Sequence, residues 1–243
     1  MCGVARVCSS RLRSSVPAAL AVAALVGLPT SGRAAERPKL PARTLRGPAA
    51  QLNQYPTLGL ATGAQRAASE RLLADMRRAA RPWRNPAAAR AAGFDLRTAR
   101  RRPGDRSVGI LHAEHRPYRN DDHYLDPTRP ETLVYVNAPG RPLTLIGVMF
   151  SMPRGARGPN PGGPITRWHT HLVCMVGNKR GLSPRADGSC PAGAVKRQGS
   201  EMLHVWFTRD LRSAFAIHAP YPELCRVGLI PATACGSRHE HHG

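Results

Sequence analysis

The 243-residue sequence predicts a mainly β fold, an antiparallel barrel or sandwich preceded by an N-terminal helical arm, α+β overall. Three observations carry this reading. The chain has 23 Gly and 23 Pro, too many breakers for a long helical bundle and suited to short strands joined by turns. From Gly109 onward, short apolar runs alternate with turn-rich clusters. Helical spacing is clearest in the stretch between Thr62 and Ala92. An apolar fraction of 42% is enough for a sizeable core, and only 5% of residues are aromatic, which weakens any base-stacking surface.

Residues 1–34 read as a secretory signal. Met1 to Ser15 carries Arg6, Arg11 and Arg13 and no acid, and Val16 to Leu28 is an apolar run of 13 residues. Gly32 and Ala34 then follow in a small-x-small pattern. The apolar run is short for a bilayer span, and no later run is long enough, so no membrane span is expected after cleavage and the protein is expected outside the cytoplasm, secreted or periplasmic. Residues 35–61, with Pro38, Pro41, Pro48 and Pro56, read as a linker.

The helical arm spans 62–108. Thr62 is placed to cap a helix on which Leu72, Leu73, Met76 and Ala80 recur at helical spacing. Pro82 and Pro86 break it, Asn85-Pro86 starts a second short helix, and Gly93 ends that one. The β-rich domain spans 109–235. Ile110–His115 reads as a strand, with His112 and Glu114 on one face. Thr132–Asn137 and Leu143–Met152, separated by Ala138-Pro139-Gly140-Arg141-Pro142, read as a hairpin. Arg167–Val176, Met202–Thr208 and Ser213–His218 read as further strands, and Gly177–Gly199 as a loop. Residues 236–243 form a His-rich tail, a poor scaffold for chemistry.

Of six cysteines, Cys2 and Cys8 lie in the signal segment, leaving Cys174, Cys190, Cys225 and Cys235, an even number for an oxidising compartment. Four cysteines allow three pairings; short, turn-rich loops favour Cys174–Cys190 and Cys225–Cys235, with the first worth about 3 kcal/mol by loop-entropy reasoning. The formal charge is +21, and losing Arg6, Arg11, Arg13 and Arg33 with the signal leaves +17. This basicity is almost all Arg, since only Lys39, Lys179 and Lys196 are lysines, and it comes without a helix-turn-helix, zinc-finger or RNA-binding signature. A solvated basic surface, with no specific nucleic-acid partner, is the expectation.

Histidine supplies the chemistry. On a strand, His169 and His171 point to one face while Trp168, Thr170 and Leu172 point to the other. Two imidazoles so placed suit one divalent transition metal, and antiparallel pairing would bring His204 opposite them. His123, in the run Asp121-Asp122-His123-Tyr124, is the candidate for a fourth ligand or an acid/base group. The competing reading makes these histidines structural, in a non-catalytic secreted β domain that binds an envelope ligand. The sequence shows no Cys-x-x-Cys pair, Gly-x-Ser-x-Gly elbow, Walker loop or His-Glu-x-x-His helix.

Gly163 followed by five residues and His169-Thr170-His171 resembles the first half of the cupin motif. The resemblance implies a small antiparallel barrel in which His169 and His171 bind Fe, Mn, Zn, Ni or Cu, with His204 as the third histidine. Cupins carry a Glu four or five residues after the second histidine, where this chain has Met175 and Val176. Losing that oxygen ligand shifts the expected metal toward Zn or Cu. If the protein is an enzyme, such a metal implies Lewis-acid or oxygen-activating chemistry on an unknown small molecule. The segments His123–Glu131, Trp168–His171 and Met202–Trp206 are also similar to uncharacterised secreted bacterial proteins with a Trp-His-x-His strand, which implies a shared site without an activity.

Overall fold

A computed structural model describes residues 54–96, 108–177, 179–182, 189–232 and 235, all within the unit Arg37–Gly243. The expected signal segment, the linker up to residue 53 and the tail lie outside the described residues. Among the described residues, no helix is long and apolar enough to cross a membrane.

The arm follows its local signals. Helix α1 is Gly63–Ala79. Its capping box is complete: the Gln65 N–H donates to the Thr62 hydroxyl at 3.2 Å, and the Thr62 N–H donates to the Gln65 side chain at 2.9 Å. A 3-10 turn at Pro82–Arg84 replaces the helix where proline removes donors, and α2, Pro86–Ala91, restarts under the Asn85 cap. Gly93 ends α2 with a φ of 99°.

The domain proper is built from two antiparallel sheets. The first has the order β1-β2-β3-β7, comprising β1 Gly109–Glu114, β2 Thr132–Asn137, β3 Thr144–Ser151 and β7 Met202–Trp206. The second has the order β5-β4-β6, from β4 Leu172–Val176, β5 Lys179–Leu182 and β6 Val195–Gln198. Period-2 alternation gives the first sheet two faces. Leu133, Tyr135, Val148, Phe150, Leu203 and Val205 pack with Leu72, Leu73 and Met76 of α1 and Ala89 of α2. Val134, Val136, Met149 and Trp206 pack on the other side against Ala216, Ala219, Tyr221 and Leu224. One arm and one C-terminal segment therefore cover opposite faces of the same sheet.

Disulfides join Cys174 to Cys190 and Cys225 to Cys235, the local pairing favoured by loop length. Other expectations are corrected. The two sheets do not close into a barrel among the described residues. The expected strand Ser213–His218 begins instead as a helix, α4 Leu211–Ala214. Asp210 caps it, accepting the Ser213 N–H at 2.9 Å, and this local bond outweighs the β character of the apolar run that follows. The expected loop 177–199 contains β5 and β6, whose pairing to β4 is non-local and whose described side chains lack an apolar face. The described residues also include two short helices, α3 Arg116–Arg119 and α5 Tyr221–Arg226.

Candidate metal centre

The expected strand Arg167–Val176 becomes regular only at Leu172. Before that, His169 makes an isolated bridge to Met202: the two residues exchange N–H donors at 2.9 and 2.8 Å. His171 offers its carbonyl to the Gly199 N–H at 2.9 Å. The chain from Val195 to Trp206 thus runs along β4 in the second sheet and then crosses into the first. His169 and His171 sit where the two sheets part. The alternation survives there without a full ladder, so both rings still project together, 5.0 Å apart between centres.

The approach to this junction is locked from the other side. Gly163 adopts a φ of 55°, in the left-handed region that favours glycine, and a β-carbon there would push on the Gln65 side chain of α1. The Trp168 indole donates to the Pro159 carbonyl at 2.8 Å. Glu201 turns away from the histidines, as its position one residue out of phase with Met202 and His204 demands. Its carboxylate accepts the Gly158 N–H at 2.9 Å.

His204, two residues past the bridge partner Met202, reaches back to His169 with ring centres 5.3 Å apart. All three rings are buried: His169 is 0%, His204 1% and His171 8% exposed. The cluster extends at both ends into a row of five. His112 on β1 lies 6.0 Å from His204, and His218 lies 5.6 Å from His171. Trp206 stacks on His204 at 4.9 Å with the planes 8° apart, giving the row a fixed wall.

His169 has the most informative chemistry. Its Nδ1 is 3.2 Å from the Arg167 carbonyl, which can only accept, so Nδ1 carries the proton. Nε2 is then a bare lone pair, buried and without a hydrogen-bond partner. Leaving such an acceptor unsatisfied costs about 1–3 kcal/mol. Burial first, and the neighbouring His171 second, hold this imidazole well below the ordinary histidine range, so it stays neutral, as a ligand must. A carbonyl on the far nitrogen is also the usual way a metal-ligating histidine is oriented.

Neighbouring rings of the row have the donor type of a transition-metal ligand and stand 5.0 and 5.3 Å apart. Two imidazoles bound to one ion at about 2.1 Å hold their ring centres about 5 Å apart. As placed, no three His, Cys, Asp or Glu side chains among the described residues already aim donors at one point. Taking up an ion requires the rings to turn, and the terminal histidine torsion is broad enough to permit that.

The upstream histidines behave differently. His115 is 6% exposed, yet both its nitrogens are used. Nδ1 accepts the Tyr118 N–H at 3.2 Å, capping α3, and Nε2 donates to the Ala92 carbonyl at 2.9 Å. His123 is exposed, on a turn where its N–H donates to Asp121 at 2.9 Å. The ring contacts of the buried row run to His112 and His218, not to His123. Sequence reading did not select His218, because no spacing rule connects it to His171. Nor did it select Glu131, 2% exposed, whose carboxyl burial pushes up to about 8 against the pull of the Ser151 backbone amide. A cleft of about 450 Å³ between α1 and α4, lined by Arg66, Glu70, Arg77 and Asp210 among others, contains no histidine. Compared with protein-family models, curated proteins and solved structures, the chain matches none.

Proposed function

We propose that this is an exported metal-binding protein whose centre, built on His169, His171 and His204, holds one divalent transition metal where its two sheets diverge. The observation that carries this is the bare, buried Nε2 of His169, oriented by the Arg167 carbonyl and flanked by two more imidazoles. An all-imidazole set without thiolate or carboxylate suits Zn or Cu best, with Fe, Mn and Ni also compatible. Such an ion supplies Lewis acidity or, for Cu, one-electron chemistry when bound. The residues do the rest: the Arg167 carbonyl fixes the tautomer, Trp206 limits ring motion and the apolar faces exclude water. The depth of the three rings favours a metal held within the domain over one that turns over a substrate.

The cupin-like reading stands on the same footing. Gly163, the His169-x-His171 pair and a later-strand His204 support it. Export rests on the N-terminal sequence pattern, and the two disulfides are compatible with it.

Elemental analysis tests the proposal. The purified chain with His239, His241 and His242 changed to Ala is expected to carry close to one Zn or Cu. His169→Ala, His171→Ala and His204→Ala are each expected to lose most of it. A metal-free parent after loading and desalting, or full retention in all three variants, contradicts the reading.

A further inference from the structure

The row of histidines does not stop at the three buried rings, and its two ends differ. At one end His112 stands 6.0 Å from His204, the longest step in the row. At the other, His218 stands 5.6 Å from His171 with the ring planes 30° apart. His218 is only partly buried, whereas its neighbours Ile217 and Ala219 are buried.

The segment that carries His218 is held in place by groups that belong to the site or lie beside it. The Trp206 indole N–H, on the ring that stacks against His204, donates to the Ala216 carbonyl at 2.8 Å. The Ile217 N–H donates to the Gln54 carbonyl at 2.9 Å. Ala216 and Ala219 pack into the apolar face of the first sheet, and α5 just beyond is tied down by the Cys225–Cys235 bridge. Trp206 therefore sets the wall behind His204 and anchors the chain two residues before His218. These contacts fix the backbone that carries His218 beside the row, so that only side-chain torsions remain to be set when an ion binds.

We propose that His218 is the fourth protein ligand and closes the centre as a four-imidazole site for Zn(II) or Cu(II). This rests on the reading of His169, His171 and His204 as ligands. It assigns the remaining place to His218 rather than to His123. For Zn(II) it also gives the centre a class: four protein ligands leave no open position on a tetrahedral ion, so the site holds that metal instead of activating a substrate on it.

The test uses the full chain with His239, His241 and His242 changed to Ala, loaded with one equivalent of Cu(II) and, separately, Zn(II). Electron paramagnetic resonance of the Cu(II) form is expected to show four equatorial nitrogens. His218→Ala is expected to show three nitrogens and to lower affinity for both ions at least tenfold in chelator competition, with His123→Ala unchanged. Acylation of His218 by diethylpyrocarbonate, followed by peptide mapping, reads the same point without a substitution: His218 is modified in the metal-free protein and protected once Zn(II) is added. An unaltered nitrogen count and affinity in His218→Ala, or equal modification with and without Zn(II), overturns the role of His218. If His169→Ala still abolishes binding in that case, the three-histidine centre survives. A parent chain that binds neither ion overturns both.

Discussion

Two regions of this protein bury histidine beside apolar side chains, and they do so to different ends. His115, between β1 and α3, spends both ring nitrogens on the backbone: one accepts the Tyr118 amide, the other donates to the Ala92 carbonyl. Its ring stacks on Tyr118 at 3.6 Å and meets Phe94 at 4.9 Å. His169, at the sheet junction, spends one nitrogen on the Arg167 carbonyl and leaves the other bare. Both residues are almost wholly buried. Burial therefore does not separate the two histidines. What separates them is whether the second nitrogen has a hydrogen-bond partner within the fold.

The sharpest break of this comparison is a pair of substitutions that separate metal content from stability. His169→Ala is expected to remove nearly all bound metal and also to destabilise the metal-free protein, since it loses a fully buried ring and the hydrogen bond to the Arg167 carbonyl. His115→Ala is expected to destabilise the fold but to keep its metal. It loses a helix cap, a second hydrogen bond and the ring packing, about 2–4 kcal/mol together, while metal content stays at the parent level. Urea unfolding of the metal-free forms beside elemental analysis of the loaded forms reads both columns. Metal loss in His115→Ala with the fold intact would erase the distinction.

The next effect belongs to the His115 region alone. The His115 amide donates to the Glu131 carbonyl at 2.8 Å, and the Glu131 carboxyl is raised from 4.5 to about 8, chiefly by burial. The folded protein thus keeps a proton that the unfolded chain releases above about 4.5. Stability is expected to fall as pH rises from about 4.5 to about 8, by a few kcal/mol, and then to level off from this group. Glu131→Gln, always neutral, is expected to remove that slope and to be the more stable form at pH 8. Denaturant midpoints at pH 5 and pH 8 check the sign. An identical slope in Glu131→Gln assigns the dependence elsewhere.

The smallest effect is expected at His123, which is exposed. His123→Ala is expected to change stability by no more than about 0.5 kcal/mol and to leave metal content unchanged. A large metal loss there would move the centre toward the Asp121–Tyr124 turn.

What was legible in the sequence follows how local each signal is. The arm could be read because its caps are short-range: Thr62 with Gln65, and Asn85 with Pro86. The His169 and His171 pair could be read because residues two apart share a face even where the ladder is reduced to a single bridge. His204 followed from antiparallel pairing, since it lies two residues past Met202. His218 was not legible. It arrives through the Trp206 to Ala216 hydrogen bond and through packing on the far face of the sheet, which no spacing encodes. The run after Asp210 was misread because Ala214 to Ile217 has β-like apolar character, while the Asp210 and Ser213 cap that turns Leu211–Ala214 helical is a single side chain. Strands β5 and β6 were hidden for a different reason. Val195, Lys196 and Arg197 are exposed, and β6 exists through its pairing with β4.

His169 keeps a buried Nε2 without a hydrogen-bond partner, whereas both ring nitrogens of His115 are engaged. Long-range proton–nitrogen correlation on ¹⁵N-histidine-labelled protein measures this difference directly. In the metal-free protein His169 is expected to carry its proton on Nδ1, and its Nε2 resonance is expected to shift when one equivalent of Zn(II) is added. Both His115 nitrogens are expected to remain in place, with the proton on Nε2. A protonated His169 Nε2, or one that Zn(II) leaves unmoved, would contradict a metal site built on this nitrogen.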